Sequence, residues 1–238
     1  MRTDPNLMTQ HRQIRGELQA AARPEVLASM QRLVPGAKML GVRVPEIRAL
    51  AAKSAKTCLL PFETSLSLFD VLCSDAWREE VLFGIFLLAR HKKHLREIPW
   101  KRIDGWLDHL DNWETCDQLA SNVVAPAVAQ NPTLHVPLRE LTQSGNVWRQ
   151  RFAVATVASL NQHGRFFPEL TLAVCQDLMA TPNPAIRKAL GWAIRELCKK
   201  DEDAAFDFLW EHRKELSRTL LREASEKLQA GRRAQLIS

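Results

Sequence analysis

Apolar residues recur at spacings of three and four from Thr9 to the end of the 238-residue chain, and strict apolar/polar alternation never lasts. The first spacing belongs to one face of an α-helix and the second to a half-buried strand, so the pattern predicts helices almost throughout. With only 9 Gly and 12 Pro, the chain also lacks the punctuation that the many turns of a sandwich or barrel require. Helices are expected over roughly 9–21, 24–34, 45–57, 62–73, 75–91, 99–110, 112–129, 133–144, 146–162, 166–180, 183–199, 201–212 and 217–229, joined by short loops. Residues 1–8 lie ahead of the first helix and are expected to be poorly ordered.

The breaks carry helix-end chemistry. Pro24, Pro45 and Pro99 stand where a first turn tolerates a missing N–H, and Asp75, Asn146 and Asn183 stand where a side-chain oxygen caps the helix that follows. Gly145 and Gly164 mark helix stops. Pro126 falls inside a helical run and is expected to kink or end it near 122–125, because its ring removes a backbone donor.

A longer period underlies these breaks. Asp75-Ala-Trp77-Arg78, Asp111-Asn-Trp113-Glu114, Asn146-Val-Trp148-Arg149 and Asn183-Pro-Ala-Ile186-Arg187 recur about 36 residues apart, each opening a long helix preceded by a shorter one. That is the spacing of a helical-hairpin array. Stacked pairs cover one another's apolar faces and produce an all-α superhelical solenoid with a concave surface, here one continuous domain over 1–238. A compact bundle without repeats is the other arrangement such a pattern allows.

With 33 Lys and Arg against 27 Asp and Glu, the formal net charge is +6, which permits binding to a polyanion as readily as it describes a solvated basic surface. The five cysteines, Cys58, Cys73, Cys116, Cys175 and Cys198, are odd in number and show no C-x-x-C spacing. Neither a disulfide framework nor a zinc site is expected, and a reducing cytoplasm fits. No apolar stretch is long enough for a membrane span or a secretory leader. The seven histidines are scattered without a carboxylate at ligand spacing, so no metal is expected. There is no G-x-S-x-G, P-loop or G-x-G-x-x-G, which leaves esterase, NTPase and dinucleotide chemistry without support.

The residues that invite a chemical role lie near the starts of the long helices. Trp113 and Asp117 are four apart and share a helix face in a mostly uncharged stretch. Trp148, Arg149 and Arg151 follow one repeat later, and Arg187, Lys188, Gly191 and Trp192 one further on, where Gly191 suits close approach of a neighbouring backbone. If these helices line the concave face, indoles, guanidiniums and one carboxylate meet in a cleft suited to nucleic acid. Indole faces attract cations and stack on bases, Arg pairs with phosphate, and a carboxylate stabilises developing positive charge. The structural alternative is an inter-repeat ion pair between Asp117 and Arg151, with Trp113, Trp148 and Trp192 filling the core. His91, Lys92, Lys93, His94 and Arg96 form a basic cluster at one helix end, and Arg213, Lys214, Arg218, Arg222, Arg232 and Arg233 form a basic tail interleaved with acids.

Four stretches, Leu40-Gly41-Val42-Arg43-Val44-Pro45-Glu46-Ile47-Arg48, Trp113-Glu114-Thr115-Cys116-Asp117, Asn146-Val147-Trp148-Arg149-Gln150-Arg151 and Lys188-Ala189-Leu190-Gly191-Trp192-Ala193-Ile194-Arg195-Glu196, occur in an order and spacing that resembles the bacterial DNA alkylation repair glycosylases of the AlkD family. The resemblance runs from about residue 25 to about residue 225. It implies HEAT-like repeats, a cationic cleft that holds duplex DNA, and hydrolysis of the N-glycosidic bond of N3- and N7-alkylated purines such as 3-methyladenine and 7-methylguanine. It also implies monofunctional action without metal or other cofactor and without a base-binding pocket; the protein is separately expected to be a monomer. Carried over by position, Asp117 matches the family's catalytic carboxylate, Trp113 and Trp192 its cleft tryptophans and Arg151 its cleft arginine; Trp148, Arg149, Arg187, Lys188, Arg43 and Arg48 are expected to contact DNA. The chain departs from the family in having Asn112 where a second tryptophan often stands, and in having no tyrosine. Two non-enzymatic readings stand beside this one: a binder of damaged or branched DNA, and a protein-binding adaptor.

Overall fold

Asparagine, serine and proline set where many of the helices begin. In the computed structural model, which describes residues 5–237, Asn112, Asn146, Asn183 and Ser217 each turn a side-chain oxygen onto backbone N–H groups of the turn that follows. These donors have no partner inside the helix, so each cap satisfies a group that would otherwise be orphaned.

The chain forms two compact units, one reaching to Val123 and the other starting at Val124. The first contains α1 (Pro5–Ala20), α2 (Pro24–Leu33), α3 (Val44–Cys58), α4 (Phe62–Ser74), α5 (Arg78–Leu88), α6 (Trp100–Leu107) and α7 (Trp113–Leu119). Here α5 is the central element: all of its residues are buried, and it packs on α1, α3, α4 and α7. Phe69 of α4 meets Trp106 of α6 edge to face at 4.7 Å, and the Trp106 indole N–H donates to Asp70 at 2.7 Å.

The second unit contains α8 (Ala125–Gln130), α9 (His135–Glu140), α10 (Val147–Leu160), α11 (Pro168–Leu178), α12 (Pro184–Cys198), α13 (Glu202–His212), α14 (Arg218–Ala224) and α15 (Ala230–Ile237). Its long helices lie side by side, α8 on α10, α10 on α12 and α12 on α14. Against them pack α11, which touches α9, α10 and α12, and α13, which touches α12 and α15. The residues of α10 from Arg151 to Leu160 are all buried, as expected of a helix covered on both sides. Among the described residues there is no strand, and the only bridge joins Lys38 to Trp77.

Three boundaries differ from expectation. Asp75 does not cap α5. Ala76 takes a left-handed φ of 53°, the Arg78 amide donates to the Lys38 carbonyl at 2.8 Å, and the helix starts only after Trp77. Asp75 instead accepts from Arg15 at 3.0 Å. The first helix already includes residues 5–8, ahead of its apolar period, since a helical turn needs no buried face to extend a helix. Of the segment expected to be poorly ordered, residues 1–4 lie outside the described residues. Finally, the chain after Ser225–Lys227 re-forms as α15. Pro126 acts as anticipated: α7 ends at Leu119, the backbone widens into a π-helical stretch, Ala120–Val124, and α8 follows with Pro126 in its first turn. A wider turn relieves the clash between the proline ring and the carbonyl four residues earlier.

Candidate functional site

In the first unit, Asn112 accepts the amides of Glu114 and Thr115, both at 3.0 Å, and so fixes where α7 starts. Asn112 is thus the helix cap. Trp113 opens the helix and Asp117 follows one turn later on the same face. The indole is 40% exposed, and its N–H donates to the Leu33 carbonyl at 3.1 Å. An exposed ring tethered in this way offers its face in a fixed orientation instead of filling the core. Asp117 is half-buried. Arg43 and Arg48, both exposed, lie on or beside α3. The Arg43 amide donates to Glu46 at 3.4 Å, and the Arg48 guanidinium stands 3.9 Å from the centre of the Phe86 ring.

Sequence reasoning passed over the residues that join these pieces. Arg78 is 1% exposed, and its Nε and Nη2 donate to the two oxygens of Glu114 at 2.6 and 2.9 Å. Its Nη1 donates to the Val42 carbonyl at 3.1 Å and to Glu79 at 2.9 Å. Glu79 in turn accepts the amides of Leu40, Gly41 and Val42 at 2.8, 3.1 and 3.3 Å. Burial alone lowers a guanidinium's proton affinity, but the bonds and charges of Glu114 and Glu79 outweigh it and raise that of Arg78. One signal was available in the sequence: Arg78, Glu79 and Glu80 are the only charges in an otherwise apolar helix.

In the second unit the candidate residues gather near the first turns of α10 and α12. Asn146 caps α10 through the Trp148 amide at 2.8 Å, and Trp148 and Arg149 are half-buried in the turn that follows. Arg151 is 7% exposed and its Nη1 donates to the Ala185 carbonyl at 2.5 Å, tying α10 to the start of α12. Asn183 caps α12 through Ala185 at 2.9 Å; Arg187 is half-buried and Lys188 exposed. Trp192 is half-buried two turns into α12. Gly191 does admit a close neighbour, but the neighbour is a side chain: a Cβ there would meet the Glu223 carboxyl group at 3.1–3.3 Å.

Two other clusters have structural explanations. His11, Asp75 and Glu80 bring one ligand atom each within 4.8 Å, a grouping no sequence spacing reveals. Arg15 already supplies the counter-charge there, donating to Glu80 at 2.5 and 2.9 Å and to Asp75 at 3.0 Å. In the basic cluster, Lys92, Lys93 and Arg96 are exposed, while His91 is held by Ser65 at 3.0 Å and His94 stacks on Phe62. Burial lowers the His91 pKa, with the His94 charge acting in the same direction.

The sequence profile of the DNA alkylation repair enzymes matches residues 14–228. The chain belongs to this family. Its role is therefore in the repair of alkylated DNA, and DNA is its partner. Among solved structures it is similar to a predicted DNA alkylation repair enzyme from Enterococcus faecalis, with a TM-score of 0.72 at 20% identity, covering 88% of this chain and 97% of that one. At that identity the likeness speaks for the fold, the all-helical repeat architecture of the family. No curated protein sequence matches. Among the described residues, no helix is long and apolar enough to cross a membrane.

Proposed function

We propose that this chain is a monofunctional DNA glycosylase that hydrolyses the N-glycosidic bond of positively charged N3- and N7-alkylated purines in duplex DNA, 3-methyladenine and 7-methylguanine among them. The observation that carries this reading is the start of α7, where an exposed and tethered indole shares a helix face with a carboxylate. An alkylated purine already bears positive charge, so it leaves without a strong acid. The C1′–N bond breaks with its electron pair passing to the base, and the sugar is left as an oxocarbenium-like cation.

Asp117 is assigned to stabilise that cation and to take a proton from the water that adds to C1′, giving free base and an abasic site. Trp113 is assigned to lie against the lesion nucleotide, where an indole face favours a cation, and Trp192 to bind DNA. Arg151, tied to Ala185, is assigned to a DNA phosphate, and Trp148, Arg149, Arg187, Lys188, Arg43 and Arg48 to the DNA backbone. The first turns of α10 and α12 suit that task, since helix N-termini present amide donors and partial positive charge to phosphate. We take the protein to be a single-domain cytoplasmic monomer whose chemistry calls on no metal or other cofactor.

The test is base release from a duplex carrying one 7-methylguanine under single-turnover conditions, with native protein and Asp117→Asn compared. The variant keeps shape and loses charge; release is expected to fall on the order of 100–1,000-fold, while duplex affinity stays within a few-fold and falls steeply with salt. Full activity in the variant would remove Asp117 from the mechanism. No release by native protein, with salt-dependent binding intact, would make the chain a non-catalytic DNA binder.

A further inference from the structure

The three charges that open α5 are all buried. Taking ions out of water costs about as much as their attraction returns, and apolar residues packed in their place often serve stability equally well. A buried network of this kind is a poor stabiliser but a strong geometric constraint, because a planar guanidinium fork fixes both the distance and the orientation of the carboxylate it holds.

Both ends of the network lead to candidate residues. On one side Arg78 grips Glu114, the neighbour of Trp113 and one turn ahead of Asp117. On the other, Arg78 and Glu79 hold the carbonyl of Val42 and the amides of Leu40, Gly41 and Val42, the stretch immediately before Arg43. The Trp113 indole bond to Leu33 adds a second tether toward the same part of the chain.

Resting on the glycosylase reading above, we propose that Arg78 and Glu79 are positioning residues. Through Glu114 and the 40–42 loop they set the start of α7, and with it Trp113 and Asp117, against the segment that carries Arg43. A carboxylate displaced by about 1 Å from the sugar loses roughly 100-fold in rate, so chemistry should register a loosened anchor before binding does.

Arg78→Lys keeps the charge and loses the fork. Under single-turnover conditions its plateau rate should fall about 10–100-fold, with the enzyme concentration for half-maximal rate changing less than about threefold. A plateau rate constant at saturating enzyme does not depend on the folded fraction, so a merely destabilised variant would keep the native value. Glu114→Gln, which keeps size and loses charge, should behave as Arg78→Lys does, and decides the matter if the lysine variant does not fold. Glu79→Gln should chiefly raise the half-saturating concentration by loosening the segment before Arg43. Arg102→Lys, in the separate Asp70 ion pair, is the control and should keep the native rate.

A second readout needs no activity. Fluorine NMR of protein labelled with 5-fluorotryptophan gives one resonance for each of the seven tryptophans, and that of Trp113, assigned by Trp113→Phe, should shift or broaden in Arg78→Lys while those of Trp148, Trp192 and Trp210 stay. Native plateau rates in both Arg78→Lys and Glu114→Gln would overturn the proposal. If native protein releases no base, the glycosylase reading falls, and the Trp113 resonance decides positioning: moved, it is upheld; unmoved, it is overturned.

Discussion

Gly41→Ala is a single-atom change that the first unit should tolerate poorly. Gly41 has φ +91°, and a Cβ built on it would lie 2.7 Å from the Leu27 Cβ, 2.8 Å from the Arg23 carbonyl oxygen and 2.9 Å from the Leu27 amide nitrogen. Two of those atoms are backbone at the start of α2, so no side-chain rotation relieves the overlap. The local chain is also pinned, with the Gly41 carbonyl accepting the Arg23 amide at 3.0 Å and its own amide given to Glu79. A left-handed φ costs a β-carbon-bearing residue roughly 1–2 kcal/mol, and overpacking against a rigid neighbour typically about 1–3 kcal/mol more. Together they give about 2–5 kcal/mol, a large share of a typical total of roughly 5–15 kcal/mol. Gly16 and Gly105 supply the contrast: both are helical and nothing lies within 4 Å of a Cβ on either, so alanine there should stabilise by about 1 kcal/mol or slightly less. Urea titrations followed by circular dichroism would place the Gly41→Ala midpoint well below native and the other two at or above it, with slopes unchanged. A Gly41→Ala unfolding free energy, midpoint times slope, within about 1 kcal/mol of native would refute the claim that the backbone of α2 cannot yield.

Two further outcomes follow from burial and charge. Cys58 is exposed, whereas Cys116 is buried and burial pushes the thiols of Cys73 and Cys175 up to about 12 and that of Cys198 up to about 11. An aromatic disulfide reagent near pH 8 should therefore modify one thiol quickly and the other four only on unfolding, and a second fast thiol would contradict the packing. The hydrogen bonds of Arg139 hold the Asp177 carboxyl below the usual carboxylate range. A depressed folded pKa means its contribution is present above the ordinary carboxylate pKa and is lost as pH falls through the lower folded value. Asp177→Asn should thus lower stability at neutral pH and shrink its difference from native protein in acid; a difference independent of pH would show that the pair does not couple to folding.

What was legible beforehand divides along a physical line. The starts of α10 and α12 could be read because asparagine caps act within one turn, and the break before α8 could be read because proline acts on its own backbone. Asp75 failed as a cap for the converse reason. Its carboxylate is claimed by Arg15, 60 residues away, and the start of α5 is set by a bridge to Lys38. Trp113 and Asp117 could be paired because a helix places residues four apart on one face, but no spacing shows that the indole would stand exposed and bound to Leu33, 80 residues earlier.

The Arg78 network belongs to the same class. Its partners, Val42 and Glu114, each lie 36 residues away in opposite directions, close to the repeat length that sets the long helices side by side. In an array, each position meets its counterparts one repeat before and one repeat after, so a buried charge in one long helix is expected to find its partner about one period away. Arg78 and Glu79, in the first turn of an otherwise apolar helix, therefore carry more information in a repeat chain than elsewhere. They mark where neighbouring repeats are held in register, and here that register passes through the start of the helix that carries Trp113 and Asp117.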